Sequence, residues 1–116
     1  MNTVLHAASA TALGDFVPKP TSVSLGQLEA TLQVWEGKGG SVSTGVWECT
    51  PGVFGAVRDD HHEICVLLSG SVTVTPDGGE PALLSAGDLL VMPQGWSGTW
   101  EVHETVRKVY VVVDCA

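Results

Sequence analysis

The stretch EICVLLSGSVTVTPDGG, residues 63–79, decides the fold class of this chain. Residues 64–68, which follow Glu63, are apolar and include β-branched side chains, and residues 71–75 alternate between polar and apolar. Both patterns are typical of β-strands. Ser69-Gly70 predicts a turn between them, and Pro76-Asp77-Gly78-Gly79 predicts a tight hairpin turn after them. This stretch therefore indicates short antiparallel strands joined by brief connections.

Glycine and proline residues predict further turns on both sides of that stretch. Fourteen glycines and six prolines supply the turns within 116 residues, a length that suits one domain. Further strands are predicted over 42–49, 53–57, 81–84, 89–92, 97–102 and 106–113. Evenly spaced short strands predict an all-β sandwich or barrel. Residues 1–41 are predicted to be an N-terminal arm with the first strands, and residues 42–116 the barrel core of the same domain.

The charge balance excludes several classes of partner. Five Lys and Arg face thirteen Asp and Glu, a formal charge of −8. Such a surface repels nucleic acids and anionic membranes, so neither is expected as a partner. No apolar stretch is long enough to cross a membrane, and the first residues do not resemble a secretion signal. The three cysteines lack CxxC spacing and are interpreted as reduced thiols, which predicts a cytoplasmic location.

The turn spacing from Glu63 onward is more specific than an all-β pattern. Six residues separate Glu63 from Gly70. Further along, five residues separate Gly87 from Pro93, and one separates Pro93 from Gly95. These spacings resemble the two motifs of the cupin superfamily, which implies a small jelly-roll barrel over residues 42–113. The amino-acid sequences of segments 45–52, 63–70, 87–95 and 98–110 resemble those of a short single-domain family related to the cupin domain of (S)-ureidoglycine aminohydrolase.

In metal-binding cupins the resemblance implies three histidines and one glutamate on the inner wall. Glu63 matches the glutamate, whereas Gly98 stands at the position of the third histidine. The two registers for the histidine pair also lack histidine, falling on Val57 and Asp59 or on Ala56 and Arg58. One of the four implied ligands remains, so the metal site is predicted to be degenerate.

A different metal site is open to the residues around Glu63. Residues two apart on a strand share a face, so His61 and Cys65 are expected to face inward with Glu63. These three side chains are accepted ligands of zinc and softer metals. A divalent metal (Zn, Mn or Ni) held by His61 and Glu63 is therefore one expectation. The alternative is that Glu63 is hydrogen-bonded in a polar pocket, His61 lies in a loop, and Cys65 belongs to the core.

Without a metal, an inward Glu63 needs another partner. Desolvation raises the pKa of a buried carboxyl unless a donor or cation meets it, and His61, Arg58 and Arg107 are candidates. Glu63 is the candidate catalytic residue, as a general base, or else an anchor for an amine or amide of a ligand. A purely structural carboxylate is the alternative.

The predicted ligand pocket consists of Glu63, His61 and Cys65 together with the aromatic residues Trp47, Trp100 and Tyr110. Aromatic lining with few polar groups is typical of small-molecule pockets. The missing side chain at position 98 is expected to leave space for Trp100 or a ligand. Of Arg107 and Lys108, only one can face inward. A surface ion-pair patch is favoured for this pair, and a place for Arg107 or Tyr110 at the pocket is the alternative.

Three functions remain open from the sequence. The favoured one is a cupin that binds a small polar, nitrogen-containing metabolite. The second is a metal-dependent aminohydrolase similar to ureidoglycine aminohydrolase. The third is a non-catalytic partner protein. A homodimer is predicted in each case, because the outward apolar residues Ile64, Val66 and Leu68 need covering.

Overall fold

The computed structural model describes residues 1–115, and antiparallel strands form most of it. The strands are β1 (Val17–Pro18), β2 (Leu28–Gly37), β3 (Val42–Cys49), β4 (Gly52–Val57), β5 (His61–Pro76), β6 (Ala82–Ser85), β7 (Leu89–Met92) and β8 (Ser97–Asp114). Within these residues the one helical element is a 3-10 turn, Lys38–Gly40. No helix there is long and apolar enough to cross a bilayer.

Two long strands organise the sheet, whose order is β1-β2-β3-β8-β5-β6, with β4 added to β8 and β7 added to β5. The first half of β8 pairs with β4, and its second half pairs with β3. Both halves pair with β5. This all-β jelly-roll arrangement confirms the fold predicted from the turn spacing.

The predicted turn at Ser69-Gly70 is instead a bend inside one continuous strand. The register of β5 against β8 shifts between Leu67 and Ser69 and again between Ser69 and Ser71. Gly70 has φ +84°, and a Cβ there would lie 2.1 Å from the carbonyl oxygen of Thr105. Glycine is required because the two strands cross too closely for any side chain, and the bend carries both strands from one side of the barrel to the other.

The alternation predicted for β5 is confirmed. Glu63, Cys65 and Leu67 are buried, whereas Ile64 and Val66 are exposed on the outer face. Cys65 and Leu67 belong to a hydrophobic core that also contains Trp47, Phe54, Met92, Trp100 and Tyr110.

The N-terminal residues cover the outer face of β2, β3 and β8. Leu13 packs there against Ala30 and Val46. The guanidinium of Arg107 holds this segment, since it donates to the carbonyls of Ala8 and Thr11. Its Nε also pairs with Glu48 at 2.8 Å. Arg107 therefore points away from the barrel interior, and its alternative placement at the pocket or beside Glu63 is wrong.

Candidate functional site

A cavity of about 430 Å³ opens into the barrel interior. Five of the six residues predicted for a pocket line it, namely His61, Glu63, Trp47, Trp100 and Tyr110. Cys65 does not line the cavity and is almost fully buried. Burial raises the pKa of its thiol, which keeps it protonated. A cavity of this size suits a small metabolite.

Glu63 is the buried acid of the cavity, and each of its oxygens faces a cation. Oε2 accepts from Lys108 Nζ at 2.5 Å, and Oε1 lies 3.0 Å from Arg58 Nη2. Burial by itself would raise the pKa of Glu63, but the charges of Lys108 and Arg58 outweigh it, so the pKa is lowered. His61 is not its partner. The carboxylate is thus held ionised between two cations.

Lys108 lines the cavity as well, although the sequence analysis did not place it there. Its side chain is buried, and Nζ lies 4.5 Å from the ring centroids of both Trp47 and Trp100. Two indole faces and one carboxylate therefore stabilise the ammonium. The interpretation of Lys108 as part of a surface patch is wrong. The alternation of side chains along β8 could have predicted its position, because Lys108 is two residues before Tyr110, a predicted pocket residue, and therefore shares its face.

Two further cations reach the cavity from other segments. Arg58 follows β4, where its backbone N–H donates to the carbonyl of Trp96. Lys19 follows β1, and its Nζ lies 4.6 Å from the Phe54 ring centroid. The same Nζ forms an ion pair with Oε1 of Glu29 at 3.0 Å. Three of the five basic residues of this acidic chain therefore border one cavity. No spacing in the sequence pointed to Lys19.

The cavity wall carries hydrogen-bond donors that have no acceptor within residues 1–115. Arg58 Nε and Trp100 Nε1 are both buried without a partner. Burial and the nearby charge of Glu63 raise the pKa of Tyr110, so its phenol stays protonated. An unpaired buried donor costs free energy. The cations that line the cavity, together with the hydroxyl of Tyr110, suit a ligand with oxygen acceptors.

His61 lies at the edge of the cavity, at the start of β5. Its Nδ1 is 2.7 Å from Oδ1 of Asp60, an exposed residue. The hydrogen bond to His61 lowers the pKa of Asp60, so this carboxylate is an acceptor only. His61 thus lines the cavity but makes no hydrogen bond or ion pair with Glu63.

Position 98 is closed rather than vacant. A Cβ on Gly98 would lie 2.3 Å from the carbonyl oxygen of Thr75, 2.8 Å from the Trp96 ring and 2.9 Å from Cα of Pro76. The expectation of free space at this position is therefore wrong. Backbone and indole atoms occupy the place where the resemblance implied a third histidine.

Comparison with protein families identifies the architecture more closely. The sequence model of the EutQ-like cupin domain matches residues 36–110, more than half of the chain. The chain belongs to the EutQ-like cupin family. No curated protein matches it.

Solved structures resemble this EutQ-like cupin in fold. A putative ethanolamine utilization protein Q from Salmonella typhimurium is 19% identical, with a TM-score of 0.70 over 99% of this chain and 94% of that one. Ectoine synthase from P. lautus is 15% identical, with a TM-score of 0.70 over 90% and 77%. A DUF861 family protein from Thermotoga maritima is 37% identical, with a TM-score of 0.53 over 56% and 73%.

The residues of this EutQ-like cupin do not fit the divalent metal that cupins often bind. Within residues 1–115 no three His, Cys, Asp or Glu side chains come together as a ligand set. Arg58 occupies one of the positions where the resemblance implied a histidine, and its guanidinium lies beside the motif glutamate. The positive charges of Arg58 and Lys108 beside Glu63 repel a metal cation, and they already neutralise the carboxylate that would bind it.

Proposed function

We propose that the cavity binds a small carboxylate. The observation that carries the proposal is the concentration of positive charge in the wall, where Lys19, Arg58 and Lys108 line one cavity. Arg58 and Lys108 share the single carboxylate of Glu63, so the three groups leave one positive charge for a ligand. A carboxylate supplies both the negative charge and the acceptor oxygens.

Glu63 has a positioning role in this proposal. It draws Arg58 and Lys108 together and fixes their orientation while its own oxygens are engaged. An amine of a ligand would meet two cations beside Glu63, which opposes the anchor role for amines expected from the sequence.

The test is a comparison of three ligands that share one carbon skeleton. By isothermal titration calorimetry, propionate is expected to bind, whereas propionamide and propylamine bind at least tenfold more weakly. Arg58→Gln is expected to weaken propionate binding roughly tenfold, because a charged hydrogen bond contributes about 1.5–3 kcal/mol. Lys38→Gln is the matched control, since it removes one exposed positive charge outside the cavity lining.

Equal binding of the three ligands would contradict the proposal. Preference for propionamide would instead favour the nitrogen-containing ligand, and with it the aminohydrolase resemblance. If Arg58→Gln and Lys38→Gln weakened binding equally, the effect would come from overall charge and not from the cavity.

The proposal extends to a homodimer formed through the outer face of β5 and β7. Ile64 pairs with Val91 and Val66 with Leu89 across these strands, and all four side chains are exposed. These four residues form an apolar outer patch of two adjacent strands, a surface suited to a second copy of the same chain.

Light scattering coupled to gel filtration is expected to give the mass of two chains for the wild type. Leu89→Glu places a charge in the outer patch and is expected to give a single chain. Leu25→Glu is the control, because Leu25 is fully exposed outside the patch. A monomeric wild type, or a dimeric Leu89→Glu variant, would rule out this interface.

A further inference from the structure

Two side chains of the cavity wall, His61 and Glu63, offer acceptor atoms that are not also donors. The exposed carboxylate of Asp60 can only accept, so the hydrogen bond at 2.7 Å requires that Nδ1 of His61 carries the proton. A neutral imidazole with its proton on Nδ1 has an unprotonated Nε2. Within residues 1–115 this Nε2 has no hydrogen-bond partner, and the ring borders the cavity. In its neutral form His61 therefore presents an acceptor.

The chain brings this acceptor close to the carboxylate-binding donors. Arg58 and His61 are three residues apart, at the two ends of the β4–β5 connection. Both line the same cavity, and Glu63, which Arg58 contacts, is two residues further along β5 on the face of His61. A ligand held by Arg58 thus lies next to the His61 ring.

The other acceptor of the cavity is already engaged. Both oxygens of Glu63 face cations, so a hydroxyl of a ligand gains little from it. His61 Nε2 is left to receive a donor from the ligand.

We infer that His61, oriented by Asp60, selects a hydroxy acid over the corresponding unsubstituted acid. The carboxylate of the ligand meets Arg58 and its neighbouring donors, and the hydroxyl donates to His61 Nε2. This inference rests on the proposed carboxylate site and adds the second group that its ligand carries.

The experiment compares propionate with its two hydroxy derivatives, lactate and 3-hydroxypropionate, by titration calorimetry at neutral pH. At least one hydroxy acid is expected to bind roughly fivefold more tightly than propionate, as one additional hydrogen bond allows. His61→Leu is expected to remove this preference while propionate still binds. His61→Gln, which retains an acceptor oxygen, is expected to restore part of it.

The control and the failing outcomes separate the two proposals. His103→Leu removes an exposed histidine outside the cavity and is expected to keep the wild-type preference. If no acid binds, the carboxylate site and this inference both fail. If propionate binds but neither hydroxy acid is preferred, or if His61→Leu keeps the preference, the inference about His61 fails alone. Asp60→Ala is expected to weaken the preference, because the Nδ1 proton is no longer fixed.

Discussion

Gly98→Ala is expected to lower the free energy of unfolding by about 3 kcal/mol, at the upper end of what one added methyl costs in a packed interior. The reason is the position of the added carbon, 2.3 Å from the carbonyl oxygen of Thr75. Thr75 belongs to the neighbouring strand β5, so relief requires movement of backbone and not of a flexible side chain. The strands β5 and β8 would have to separate where they are paired.

Chemical denaturation of Gly98→Ala and Gly55→Ala gives a matched comparison. Gly55 lies on the adjacent strand β4, opposite Thr99, and a Cβ there would meet nothing within 4 Å. Gly55→Ala is expected to be neutral or slightly stabilising, because alanine loses less backbone entropy on folding. Similar losses for the two variants would show that crowding at Gly98 is not the cause.

This glycine also explains why a histidine cannot simply be restored at position 98. The obstacle is the backbone of β5 together with the Trp96 ring, and any side chain would meet it. The departure from the metal-binding cupin pattern therefore extends beyond the ligands themselves to the packing around them. Arg58 and Lys108 complete that departure, because they place positive charge where a metal would lie.

The sequence predicted those parts of the fold and site that depend on alternation along a single strand. The period-two pattern placed Glu63 inside and Ile64 outside, and the turn spacing indicated a cupin barrel. The turn expected at Ser69-Gly70 is a bend, because glycine permits a close strand crossing as readily as it permits a turn. Only the pairing with β8 distinguishes the two.

The cations of the site were harder to predict, for two different reasons. Lys108 shares a face with Tyr110, so alternation was sufficient, but a lysine next to an arginine suggested an exposed pair. Burial of this lysine depends on Glu63 and two indole rings brought from other strands. Lys19 reaches the cavity through the fold of the N-terminal segment over β4, which no local pattern reveals.

Lys108→Met is expected to lower the free energy of unfolding by about 3 kcal/mol, because it leaves a buried carboxylate with one partner fewer. Methionine keeps most of the length and apolar contact of the lysine stem, so the lost charge dominates the effect. The double variant Glu63→Gln/Lys108→Met, which leaves Arg58 without its carboxylate partner, is expected to lose less stability than the sum of the two single variants, because the Glu63–Lys108 pair is lost only once. Chemical denaturation of both single variants and the double variant measures the coupling.

Acid unfolding provides the second measurement on the same pair. The pKa of Glu63 is lowered in the folded state from an ordinary value of 4.5, so the unfolded state binds more protons in this range. The stabilisation by Glu63 is therefore present above pH 4.5, and it is lost as the pH falls through the folded-state pKa of Glu63. Lys108→Met is expected to lose less stability over this acid range than the wild type. An unchanged pH dependence, or a loss in the double variant equal to the sum of the two single losses, would show that Lys108 does not hold the charge of Glu63.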